Sequence, residues 1–109
     1  MKGNKSMKLM TTEIGDKLRQ FGYLPDIDNW MDADVIVKYF NPCGAGTWLI
    51  VSGEERDGDW ILFGYVTLGA EWEWGPVSLS DLEKYKGPFG LGIERDLYCG
   101  EQKVRDLSN

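Results

Sequence analysis

Histidine is absent from all 109 residues. With it go the side chain that titrates nearest neutrality and the commonest metal ligand. Every arrangement in which an imidazole activates a serine or cysteine is lost as well. Cysteine is scarce: Cys43 and Cys99 are far apart in the chain, and each is followed by a glycine. Two thiols without histidine cannot furnish a four-ligand zinc centre. In a chain with a sufficient core they read as reduced cytosolic thiols rather than a disulfide framework, so the expected location is the cytoplasm and no cofactor is expected.

Long apolar runs are missing. Segments such as Trp48-Leu49-Ile50-Val51 fall far short of the roughly 20 residues that span a bilayer. The basic opening Met1-Lys2-Gly3-Asn4-Lys5-Ser6 leads into no apolar stretch, so it does not read as a secretory signal, and Met7 offers a second start. Phosphate-binding loops are missing too. Gly44-Ala45-Gly46 and Gly90-Leu91-Gly92 lack the third glycine of a dinucleotide loop and the Lys-Ser/Thr of a nucleotide loop. No Gly-x-Ser-x-Gly elbow is present, and no cation lies near Cys43 in sequence to lower its pKa. Lys and Arg number only 12 and are scattered, which is no footprint for nucleic acid.

What remains is globular: 42% of residues are apolar and 13% aromatic, enough for one core in a chain of this length. The net charge of −6 is unevenly placed. From Asp26 to Glu83 there are 12 acidic residues against Lys38 and Arg56, a balance of −10, while the remainder sums to +4. A segregated negative field repels nucleic acid and membrane surfaces and attracts basic proteins.

Along the chain, Thr11 or Thr12 supplies a hydroxyl cap, Ile14, Leu18 and Phe21 recur at helical spacing, and Gly22 provides a stop. Residues 25–33 read as a polar connector. Asp34 to Phe40, Thr47 to Val51, Trp60 to Leu68 and Glu71 to Trp74 read as strands, joined by Asn41–Gly46, an Asp57-Gly58 hairpin signal and Gly69-Ala70. Ser80-x-x-Glu83 is a capping box that predicts a short helix through Tyr85, stopped by Gly87-Pro88. Leu91 to Tyr98 is a further extended candidate. The expected fold is α+β: a four-stranded antiparallel β-meander with an N-terminal helix and a short C-terminal helix packed on one face. Residues 1–8 read as a disordered extension, 9–100 as a single domain and 101–109 as a frayed tail.

Three features could carry chemistry. Asp26-x-Asp28 and Asp32-x-Asp34 alternate like hard-cation ligands, but Trp30 holds the third ligand slot of an EF-hand and its central glycine is missing. No metal is expected there; the acids form a negative ridge. Glu54, Glu55, Asp57 and Asp59 crowd the predicted hairpin loop, beside Trp60 as a possible apolar anchor. Glu71-Trp72-Glu73-Trp74 puts both indoles on one strand face and both carboxylates on the other, which leaves open a stacking platform for sugar, base or peptide.

Read whole, the chain resembles the family catalogued as domain of unknown function 2958. The resemblance rests on Met7-Lys8-Leu9-Met10-Thr11, Asp34-Val35-Ile36-Val37-Lys38-Tyr39-Phe40 with Asn41-Pro42, and Gly46-Thr47-Trp48. It extends through Asp57-Gly58-Asp59-Trp60-Ile61-Leu62-Phe63-Gly64-Tyr65-Val66, Ser78-Leu79-Ser80-Asp81-Leu82-Glu83, Gly87-Pro88-Phe89-Gly90-Leu91 and Ile93-Glu94-Arg95-Asp96-Leu97-Tyr98. It implies a kinship with small proteins of plasmids and other mobile elements and carries no reaction or site. The expectation is a non-enzymatic acidic protein that binds and inhibits a nucleic-acid-handling host protein, of the anti-CRISPR or anti-restriction kind, by presenting phosphate-like charge. The expected binding residues are Asp26, Asp28, Asp32, Asp34, Glu54, Glu55, Asp57 and Asp59, with Trp30 or Trp60 as anchor. The partner is a basic protein surface, with no direct contact to nucleic acid or membrane. The alternatives are a carbohydrate or small-ligand domain using Glu71 or Glu73 beside an indole, and a structural or adaptor module.

Overall fold

In a computed structural model, described here for residues 8–108, the apolar segments assemble into one antiparallel sheet. Helix α1 (Thr12–Phe21) opens where Thr11 Oγ1 accepts from the Ile14 amide at 3.1 Å. It ends at Gly22, whose φ of 78° suits a residue without Cβ. Ile14 and Leu18 are buried, but Phe21, in the last turn, is exposed. Strand β1 (Val37–Phe40) pairs with β2 (Thr47–Arg56), β2 with β3 (Asp59–Thr67) and β3 with β4 (Trp72–Ser78). This is the expected meander. A fifth strand, β5 (Glu94–Arg95), comes from the segment read as extended and pairs antiparallel with β1, giving the order β4-β3-β2-β1-β5.

Two strands run further than their composition suggests. β2 continues through Glu54 and Glu55, which pair with Ile61 and Trp60, so the acidic hairpin loop shrinks to Asp57-Gly58. Both turn residues have positive φ, 54° and 82°, the two-residue geometry whose twist matches a hairpin. β4 continues through Gly75 and Pro76 to Ser78. Proline is tolerated there because β4 is an edge strand, with one side of its ladder unpaired.

Helix α2 (Leu79–Lys84) begins one residue before the predicted capping box. Ser78 is its cap, with Oγ accepting from the Asp81 amide, while the Ser80 hydroxyl donates instead to Asp59 Oδ2 at 2.8 Å. A carboxylate from the neighbouring strand outcompetes the local cap. Beyond the Pro88–Gly90 turn, the segment expected to fray is held in place. Val104 is fully buried at the start of α3 (Val104–Leu107), its amide bonds to the Ala33 carbonyl at 3.0 Å, and the Val35 amide bonds to the Gln102 carbonyl at 2.9 Å. The expected N-terminal extension lies, but for Lys8, outside the described residues.

Both faces of the sheet are covered, because β2 is apolar on both sides. α1 and α2 share one face, closing Leu18, Tyr39, Ile50, Trp60, Leu62 and Leu82 into a core. α3 and the short turn Trp30–Asp32 cover the other, over Leu49, Val51 and Phe63. The expectation of helices on one face is thus corrected: it holds for the two helices anticipated, and α3 lies opposite. The buried Tyr39 hydroxyl donates to the Leu9 carbonyl at 2.7 Å and ties the start of the chain to the sheet centre.

Candidate functional site

The expected acidic row is divided by its neighbours. Asp32 receives Arg105 at 2.6 Å and Asp34 receives Lys103 at 2.8 Å, both cations arriving from the docked C-terminal segment. Glu55 is met by Arg19 of α1 at 3.0 Å, and Glu54 is paired with Arg56 two residues on along the same strand. These pairs are exposed and individually weak, but they remove net charge where the ridge would have been most negative. Asp26, Asp28 and Asp57 are exposed and carry no ion pair among the described residues.

Asp59 is structural. It accepts from the Ser78 hydroxyl at 2.7 Å, the Ser80 hydroxyl at 2.8 Å and the amides of Trp60 and Ser80. The Ser78 bond, with those from Ser80 and the two amides, holds its carboxyl below the usual carboxylate range against the opposing effect of burial. Neither proposed anchor is a free indole. Trp60 is 8% exposed, sits in the core and lies under the Arg19 guanidinium at 5.2 Å. Trp30 is half-buried, edge-on to Phe63 at 4.9 Å and to Trp74 at 5.4 Å, with its ring N–H on the Pro25 carbonyl. Both are packed against other side chains. In a strand a large apolar side chain on the covered face packs before it can bind.

The alternation in β4 is as expected, but the sides have different fates. Trp72 and Trp74 turn to the face shared with Trp30, where Tyr65 stacks on Trp72 at 5.2 Å and meets Trp74 at 4.6 Å. Glu73 turns to the other face, in register with Val66 and, across β3, with Trp48. There an open trough of about 850 Å³ is lined by Trp48, Val66, Val77 and Leu82, with Glu71, Glu73 and Asp81 as its only charged lining residues among the described ones. The sequence pointed to Glu71 and Glu73. Asp81 was legible only as a helix residue, and Trp48 only as strand, because nothing local says that β2 and α2 meet over β4.

A second cleft of about 630 Å³ lies between α1 and β1, β5 and the tail, with charges of both signs, among them Lys17, Lys38, Glu13 and Asp96. Lys38 and Asp96 pair at 3.5 Å. At its wall, burial and then the nearby Asp96 raise the Cys99 thiol, which makes it a poorer nucleophile. Cys43 and Cys99 are both free thiols. Among the described residues no group of three or more His, Cys, Asp or Glu side chains could hold a metal ion, and no helix is long and apolar enough to cross a membrane.

A family model described as "Protein of unknown function (DUF2958)" matches residues 9–108. No curated protein and no solved structure matches.

Proposed function

The chain belongs to the DUF2958 family of proteins of unknown function, and from that premise we propose that it is a non-enzymatic acidic protein that binds a basic protein surface and blocks it. The partner class is a nucleic-acid-handling effector of the host, such as a CRISPR or restriction nuclease, whose phosphate-binding groove accepts carboxylates. The observation that carries the reading is the set of carboxylates left without a cation once the ion pairs are drawn. Among the described residues Asp26, Asp28, Asp57, Glu71, Glu73 and Asp81 have none, whereas Asp32, Asp34, Glu54 and Glu55 are paired. The effective surface is therefore narrower than the full acidic stretch. Against an enzymatic role stand the absence of histidine and the engagement of Asp59, whose carboxyl is held below the usual range, in holding α2.

The test is plasmid cleavage by purified CRISPR and restriction nucleases, with and without the protein. Inhibition should weaken as salt rises from about 50 to about 300 mM, as screening of exposed charge requires. It should also fall in a variant carrying Asp26→Asn, Asp28→Asn, Asp57→Asn, Glu71→Gln, Glu73→Gln and Asp81→Asn. Cleavage unaffected by the protein across the panel, or inhibition indifferent to salt and to those substitutions, defeats the proposal.

The trough favours a second reading, a carbohydrate or other small ligand held by Glu71 or Glu73 against the Trp48 indole. Its openness to solvent counts against it, since such ligands are usually largely enclosed. Calorimetric titration with oligosaccharides distinguishes the two, and saturable heat at millimolar sugar or below would favour this alternative.

A further inference from the structure

We infer that the trough beside α2 is the docking site for a cationic amphipathic helix presented by the protein partner. The inference rests on the reading that the chain binds a basic protein, and it assigns that binding to one place.

The floor is built for apolar contact. Trp48, Val66 and Glu73 stand in one cross-strand row, and Val77 stands four residues further along β4 on the same side. Between Glu73 and Val77 the strand carries Gly75, where an added Cβ would meet nothing within 4 Å. Glycine inside a strand weakens it and leaves no side chain to pack. Here it leaves a notch in the floor of a trough of about 850 Å³, open to a side chain from outside.

The rim sets the charge of the occupant. Glu71 lies at one end and Asp81 at the other, with Glu73 between them, and among the described residues no lysine or arginine lines the trough. A partner side must therefore be apolar along one stripe and positive beside it. From Glu71 to Val77 along an extended strand is roughly 20 Å. That matches about 13 helical residues at 1.5 Å each, enough for apolar anchors at i, i+3, i+4 and i+7 with basic residues flanking them. An added β-strand is the poorer fit, because Pro76 interrupts the β4 edge that it would have to pair with. Nucleic acid is repelled by the same carboxylates.

The probe is a synthetic amidated 14-residue peptide of leucine and lysine in helical amphipathic order, with a scrambled peptide of the same composition. Binding to the whole protein is followed by fluorescence anisotropy. The amphipathic peptide should bind at least about tenfold more tightly than the scramble. Gly75→Leu, which fills the notch, and the triple variant Glu71→Gln, Glu73→Gln, Asp81→Asn should each weaken it by about tenfold or more. Glu13→Gln with Glu101→Gln, two exposed carboxylates that line the other cleft, should leave it unchanged. Equal binding of the two peptides, or binding indifferent to both trough variants, overturns the docking site while leaving the basic-partner reading standing. If neither peptide binds at low salt, both fail. Circular dichroism of each variant confirms that the sheet is intact, and the triple variant changes only rim side chains.

Discussion

Asp59 shows how a carboxylate that looks like surface charge can instead belong to the fold. It gathers two hydroxyls and two amides from β3, β4 and α2. Those bonds favour its ionised form, so its folded pKa lies below its unfolded one. The stability it contributes is therefore complete above the ordinary carboxylate value near 4 and is lost as pH falls beneath it. Asp59→Asn should lower the thermal midpoint at about pH 6 and make the decline between about pH 5 and about pH 2 shallower than in the parent. Parallel curves for the two proteins would show that these bonds do not discriminate between the charged and neutral forms. The Asp59 cluster also explains why the cap falls at Ser78, two residues before the Ser80 of the predicted capping box. Ser80 has the right type and spacing, but its hydroxyl is taken by an acceptor 21 residues away.

Elements were most legible where a short-range rule governs them. Period-two alternation located β4, and Asp57-Gly58 located the β2–β3 turn, since only residues tolerant of positive φ serve there. The C-terminal segment was not legible, because Gln102-Lys103-Val104-Arg105-Asp106 has a single apolar side chain among polar ones. What secures it is remote: Val104 enters the core beside Val35 and Leu49, and its backbone bonds Ala33. Val104→Ala should cost roughly 1–3 kcal/mol, the range for removing buried methyl groups from a packed core, measured by urea unfolding. A change within about 0.5 kcal/mol, typical of surface positions, would mean that the segment contributes little and frays in solution. The same docking delivers Lys103 and Arg105 to Asp34 and Asp32, so one element both completes the second core and trims the acidic ridge.

At the scale of the molecule the surplus of −6 persists after pairing, and carboxylates of the connector, the Asp57 turn and the trough are among those without an ion pair in the described residues. A surface of that sign repels phosphates over about 10 Å at 0.1 M salt. Duplex and single-stranded DNA should therefore migrate unretarded in a gel-shift assay with micromolar protein at about 0.1 M salt. Retardation under those conditions would contradict a partner chosen for its positive charge. On the proposed reading, the partner is a protein with a basic groove, and the trough offers it an apolar foothold that charge alone lacks.

Composition, alternation and turn chemistry sufficed to determine an α+β chain with an antiparallel meander, an N-terminal helix closed at Gly22 and a chain without imidazole chemistry, because each follows from residues that are neighbours in sequence. Tertiary structure alone decided which carboxylates stay uncompensated and which tryptophans stay free. Asp34 and Lys103 are 69 positions apart, and Asp32 and Arg105 are 73. Coulomb attraction and burial depend on distance in space, which the order of residues does not state.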